Sequence, residues 1–93
     1  MKQKEILAIV AKYKKKLERS AITPRRIAKR RTFGSCTYIE LLQHALFLAV
    51  HIEEIDPIRQ RDKLNRHFAA MQMCLSFADW YTLESLMNHN RPK

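Results

Sequence analysis

The sequence predicts an all-α fold: a small helical bundle built on a long antiparallel helical hairpin, with a basic N-terminal helix packed beside it. Three observations carry that expectation. The chain of 93 residues holds one glycine and three prolines, and a composition rich in Leu, Ile, Ala, Lys, Arg and Glu favours helices over turns and strands. Apolar side chains recur at three- and four-residue steps through its long segments, which is the spacing of one helix face. Helix-start signals stand at Thr23, Thr37, Asp56 and Thr82, where a hydroxyl or carboxylate can satisfy the free N–H groups of a first turn.

Residues 2–19 read as the first helix. Ile6, Val10, Tyr13 and Leu17 form its stripe, with Ile9 beside them, and Lys12, Lys14, Lys15, Lys16 and Arg19 occupy the rest of the circumference. Those cations repel one another, so burial of the stripe or a bound anion must stabilise the helix. A break follows at Ser20 to Ile22. Thr23-Pro24 then resembles a cap followed by a first-turn proline, and predicts a short basic helix over residues 24–31, ended by Gly34 in a left-handed conformation.

Thr37-Tyr38-Ile39-Glu40 is the strongest local signal, a T-x-x-E capping box ahead of an apolar run. It opens a helix over residues 38–55 that carries Leu41, Leu42, Ala45, Leu46, Leu48, Ala49, Ile52 and Ile55, and should be the most buried element. Asp56-Pro57 repeats the cap-then-proline pattern, so a helix over residues 57–78 is expected to start almost at once and to double back as a hairpin. Leu64, Phe68, Met71, Leu75 and Ala78 form its core face. Met73, Cys74 and Phe77 broaden the apolar surface near its end, which predicts burial or self-association. Met73, Phe77, Trp80 and Tyr81 are the candidate interface residues of a homo-oligomer. Thr82 caps a last short helix over residues 83–88, and Pro92 stops it. The expectation is a single domain: a basic segment (1–34), a hairpin (35–78) and a short C-terminal helix (79–93).

Charge is distributed unevenly. The formal net charge is +9. Residues 1–31 hold twelve Lys or Arg against Glu5 and Glu18, and residues 32–93 hold six against seven acids. A regional excess of this size raises the local concentration of polyanions. The candidate contact residues for a polyanion or partner are Lys14, Lys15, Lys16, Arg19, Arg25, Arg26, Lys29, Arg30 and Arg31, with Phe33 placed to stack on bases. Arginine dominates the second half, and its guanidinium fork binds phosphate or carboxylate bidentately. No helix-turn-helix is legible, so contacts to nucleic acid would fall on the backbone and be sensitive to salt.

Other chemistries find less support. One glycine cannot build a phosphate-binding loop. Cys36 and Cys74 show no C-x-x-C spacing and read as free thiols. Glu40, His44 and His51 stand on one side of the long helix, and a facing helix adds His67, but the paired E-x-x-H motifs of a bundle metal site are missing. No cofactor or metal is therefore expected. No run of apolar residues is long enough to cross a membrane. The start, Met-Lys-Gln-Lys-Glu, lacks a signal peptide's apolar block, so a bacterial host cytoplasm is the expected location.

Two resemblances refine the expectation. Arg61-Asp62-Lys63-Leu64-Asn65-Arg66-His67 resembles the R-x(4–6)-H motif of HEPN-type helical ribonucleases, which implies an Arg that stabilises phosphate charge and a His acting as acid or base. The second covers about half the chain. Glu40 to His44, then Asn65-Arg66-His67-Phe68-Ala69-Ala70-Met71-Gln72, Trp80-Tyr81-Thr82-Leu83-Glu84-Ser85-Leu86 and the ending Asn88-His89-Asn90-Arg91-Pro92 resemble small helical accessory proteins of tailed phages and prophages. Some neighbouring small phage proteins, of the anti-RecBCD type, bind host nucleic-acid enzymes. That resemblance implies a non-enzymatic protein that modulates a host nuclease-helicase or defence machine. Direct non-specific DNA or RNA binding and HEPN-like ribonuclease activity are the alternatives.

Overall fold

The computed structural model describes residues 2–91. Four helices follow one another: α1 (Gln3–Arg19), α2 (Tyr38–Glu54), α3 (Arg61–Phe77) and α4 (Leu83–His89). The described residues contain no strand, so the all-α expectation holds. The centre of the bundle is the α2–α3 hairpin, and α1 packs against both of its helices.

The apolar stripes account for this arrangement. Ile6, Val10, Tyr13 and Leu17 of α1 are buried, as their 4-3-4 spacing requires. In α2, the buried residues Leu41, Leu42, Ala45, Leu46, Leu48, Ala49 and Ile52 span an arc of about 160° around the helix, because this helix touches both α1 and α3. Leu64, Phe68, Met71, Cys74 and Leu75 of α3 complete one continuous core. One polar side chain, Gln72, lies inside it. Its amide donates to Tyr13 Oη at 3.1 Å and to Asn90 Oδ1 at 2.8 Å, and Asn90 Nδ2 returns a bond to Gln72 Oε1 at 3.0 Å. Among the described residues, no buried side-chain nitrogen or oxygen lacks a partner. The Gln72 amide therefore ties α1 and the C-terminal segment to α3 without an unsatisfied group.

The caps at Thr37 and Thr82 form as the sequence indicates. Glu40 N–H donates to Thr37 Oγ1 at 3.2 Å, while Thr37 N–H donates to Glu40 Oε1 at 3.0 Å. Thr82 Oγ1 accepts from Ser85 N–H at 3.1 Å. The expected stop at Pro92 lies outside the described residues.

Three expectations are corrected. Residues 24–31 are not helical: the chain has no regular secondary structure from Ile22 to Ala28 and turns at Lys29 and Arg30. A two-turn helix with five cations resists nucleation, and here the Ile27 N–H, which would make the first helical bond, donates to His44 Nδ1 instead. The second correction concerns the start of α3. Asp56 Oδ1 accepts from Ile58 and Arg59 N–H at 3.0 and 3.2 Å, so the cap signal is real, but it closes a turn over residues 57–60. Gln60, at φ −115° and ψ 41°, interrupts the helical path and α3 starts at Arg61.

The third correction is the position of the left-handed residues. Gly34 sits in a 3-10 turn at Phe33–Ser35 with no positive φ. Ala21 (φ 59°) and Asp79 (φ 61°) are left-handed instead. Each completes the same helix-ending motif. Ile22 N–H donates to Leu17 O and Ala21 N–H to Glu18 O, both at 3.1 Å; Trp80 N–H donates to Leu75 O and Asp79 N–H to Ser76 O, at 3.0 and 2.9 Å. That pattern favours glycine at its left-handed position. Ala21→Gly is therefore expected to stabilise the protein by about 0.5–1 kcal/mol in chemical denaturation. Gly34→Ala, whose added Cβ meets nothing within 4 Å, should leave the midpoint essentially unchanged.

Candidate polyanion-binding site

The basic segment forms a strap, residues 22–31, that runs from the end of α1 along α2. Arg25 N–H donates to the Gln43 carbonyl at 3.1 Å, and Ile27 N–H donates to His44 Nδ1 at 3.0 Å. Ile22 and Ile27 pack against the core, whereas Arg25, Arg26, Lys29 and Arg30 are exposed. The strap thus presents its cations outward because its apolar residues are anchored inward.

Its far end is locked electrostatically. Arg31 Nη1 and Nη2 donate to the two Glu40 oxygens at 2.9 and 3.3 Å, and Nη2 also reaches Ser35 O at 2.7 Å. The Arg31 fork, and after it the Thr37 N–H, hold the Glu40 carboxyl down to about 2. One carboxylate therefore caps α2 and fixes the strap. Its contribution is complete above the ordinary carboxyl range and fades only as pH falls from about 4.5 toward 2.

The nine candidate cations divide into two groups. Lys14 is engaged by Glu53 Oε1 at 2.6 Å. Lys16 lies over the Trp80 and Tyr81 rings, 4.9 and 4.7 Å from their centroids, and donates to Tyr81 Oη at 3.2 Å. Arg31 is bound to Glu40. Among the described residues, Lys15, Arg19, Arg25, Arg26, Lys29 and Arg30 have no carboxylate within ion-pair distance. Four of these six lie on the strap. Phe33 is half-buried, with its ring 6.1 Å from Phe77 and 6.0 Å from His44. It anchors the strap's end to α2 and α3 rather than standing ready to stack on a base.

His44 holds the strap in place, and no local sequence pattern marks that role. Accepting a bond from Ile27 N–H requires Nδ1 to be unprotonated. Burial, then the charge of Arg26, then His67 push the His44 pKa below its ordinary value. The sign follows directly. The folded state prefers neutral His44, so the unfolded chain binds more protons as pH falls through about 6.5, and this latch weakens below that value. The Ile27 amide resonance should therefore shift cooperatively as pH is lowered from about 7.5 to about 5, and His44→Leu should abolish that transition.

The remaining histidines form no expected catalytic or metal arrangement. His67 Nδ1–H donates to Lys63 O at 2.9 Å, and its ring lies 6.1 Å from that of His51. Arg61 is exposed at the first position of α3. It stands six positions before His67, which places the two about 120° apart around the helix. Among the described residues, no three His, Cys, Asp or Glu side chains converge where a metal ion could sit. Cys36 and Cys74 are free thiols; burial pushes the Cys74 thiol up to about 12, which leaves it inert at neutral pH.

Two concave surface features stand apart from the strap. An apolar groove of about 590 Å³ is lined by Met73, Phe77, Leu83 and Leu86; Trp80 and Tyr81, grouped with Met73 and Phe77 by sequence, instead face Lys16. A second cleft, of about 530 Å³, lies between α1 and α4. No described helix is long and apolar enough to cross a membrane. No protein-family model matches the chain, and neither a curated protein nor a solved structure shows significant similarity to it. Fold and site together define a class: a small all-α protein that displays an anchored basic strap.

Proposed function

We propose that the protein is a non-enzymatic binding protein of the phage or prophage type, which modulates a host nucleic-acid-processing machine in the bacterial cytoplasm. The strap would lie on an acidic surface or across a nucleic-acid channel of that machine, with the helical hairpin as scaffold. One observation carries the reading: Arg25, Arg26, Lys29 and Arg30 are exposed together, without carboxylate partners among the described residues, on a backbone already fixed by Gln43, His44 and Glu40. Fixing the backbone before contact lowers the ordering entropy of binding, and four desolvatable guanidinium or ammonium groups suit phosphates or clustered carboxylates.

The same exposed arginines favour a second reading, direct non-specific binding to DNA or RNA backbone. A ribonuclease reading would rest on Arg61 and His67, and predicts RNA cleavage that His67→Ala abolishes. Affinity capture from bacterial lysate, with and without nuclease digestion, separates the first two. A specific protein partner retained after digestion, and lost when Arg25, Arg26, Lys29 and Arg30 are all replaced by glutamate, supports modulation of a host machine. Capture abolished by nuclease, together with a gel shift that weakens steeply between about 50 and 200 mM salt, supports direct binding instead.

A further inference from the structure

The cleft between α1 and α4 combines cations, an apolar wall and an oriented polar chain, and it is independent of the strap. Its volume of about 530 Å³ falls within the roughly 300–1,000 Å³ of small-ligand sites. Lys12 and Lys16 line it from α1, while His89 and Arg91 line it from the end of the chain's described part. Glu5 is the only carboxylate among its lining residues, so cations outnumber acids three to one before His89 is considered. Ala8 and Ile9 supply apolar surface, and Tyr13 and Tyr81 supply aromatic surface.

The polar chain fixes what His89 can offer. Gln72 donates to Tyr13 Oη at 3.1 Å, and Tyr13 Oη lies 2.7 Å from His89 Nδ1. With its lone-pair side used by Gln72, the tyrosine directs its O–H at Nδ1. Burial raises the Tyr13 pKa, which keeps that proton on the phenol. A tyrosine O–H aimed at Nδ1 leaves Nε2, on the far side of the ring, as the donor. His89 is thus oriented as a hydrogen-bond donor. Lys16 is held in position over Trp80 and Tyr81, whereas Lys12 and Arg91 have no ion-pair partner among the described residues.

We propose that this cleft binds a small organic anion with a planar ring, of the nucleoside monophosphate class. The phosphate is taken by Lys12, Arg91 and the His89 Nε2–H, and the ring lies against Ala8, Ile9 and Tyr81. Charge complementarity selects the anion, and the apolar wall selects the ring.

The test is titration of the 93-residue protein with adenosine 5′-monophosphate, followed by calorimetry and by amide chemical shifts. Saturable one-to-one binding is expected, with shifts at Ile9, Lys12 and His89. Adenosine and inorganic phosphate should each bind at least about tenfold more weakly, because each keeps one half of the recognition. Lys12→Glu, a fully surface substitution, should weaken binding by about tenfold or more. The strap variant with Arg25, Arg26, Lys29 and Arg30 replaced by glutamate should bind as the parent does. Absence of saturable binding overturns the proposal, as does equal affinity in Lys12→Glu. Phosphate alone binding as tightly as the nucleotide overturns the ring site, and adenosine binding as tightly overturns the anion site. Loss of binding in the strap variant moves the ligand to the strap and also overturns the assignment, while leaving the proposed function intact.

Discussion

Replacing Arg25, Arg26, Lys29 and Arg30 with glutamate is expected to reduce partner affinity at least about a hundredfold while leaving the fold in place. The two halves of this expectation have different physical origins. Each side chain is exposed and pairs with no carboxylate among the described residues, so each substitution should change stability by no more than about 0.5 kcal/mol. Relief of the mutual repulsion offsets part of even that. Against a polyanion, by contrast, four attractions become repulsions, and a single close charge pair contributes about 1 kcal/mol or more when partly desolvated. For a nucleic acid, the slope of log affinity against log salt should fall by roughly 3 to 4, about one unit for each phosphate that is no longer neutralised. Far-ultraviolet circular dichroism and the melting temperature of the variant provide the check on folding. A change of more than a few degrees would mean that the strap's cations stabilise the bundle.

Leu17→Ala is expected to have the largest effect on stability, a loss of about 2–5 kcal/mol. Leu17 is 0% exposed and closes the core at the last turn of α1. It also supplies the carbonyl that accepts from Ile22 N–H at the helix end, so a shift of the last turn there propagates into the start of the strap. A domain of this size has a total stability of about 5–15 kcal/mol, and each kcal/mol lowers the melting temperature by roughly 4–8 °C. A fall of at least about 10 °C should be seen by calorimetry. Met73→Ala on α3, where the parent side chain is 51% exposed, should move it little. Binding and folding are therefore separable: the strap variant loses the first, Leu17→Ala the second.

The parts of this fold that local chemistry dictates are legible in the sequence. The α1 stripe from Ile6 to Leu17 lies at helical spacing and is buried. The Thr37–Glu40 box forms with both of its bonds, and Thr82 caps α4. Each of these depends on residues within one or two turns of one another. The strap has the local pattern of a helix and is not one, because its conformation is decided at a distance. The acceptors for Arg25 and Ile27 N–H are Gln43 O and His44 Nδ1, both on another element, and no local pattern encodes them. The helix ends at Ala21 and Asp79 are illegible for a related reason. Residues that tolerate a left-handed conformation poorly are held there by two backbone bonds and by the packing that follows. The polar chain of Gln72, Tyr13, His89 and Asn90 joins residues as much as 76 positions apart, and the cleft above it exists only once α4 has folded against α1.

Of the candidate site, the cations are legible in the sequence and their use is not. By position alone, Lys14, Lys16 and Arg31 have the same standing as Arg25 and Arg30. In the fold, Glu53, the Trp80–Tyr81 corner and Glu40 take the first three, and the candidate binding surface contracts to the strap's outward face with Lys15 and Arg19.

Amide hydrogen exchange on the protein, alone and in the complex recovered from nuclease-treated lysate, tests the central claim most directly. Binding through the strap predicts new protection at residues 23–30, including the Arg26 and Lys29 amides, with exchange in α3 unchanged. Recovery of no complex, or protection confined to the Met73, Phe77 and Leu83 groove with none on the strap, would contradict it.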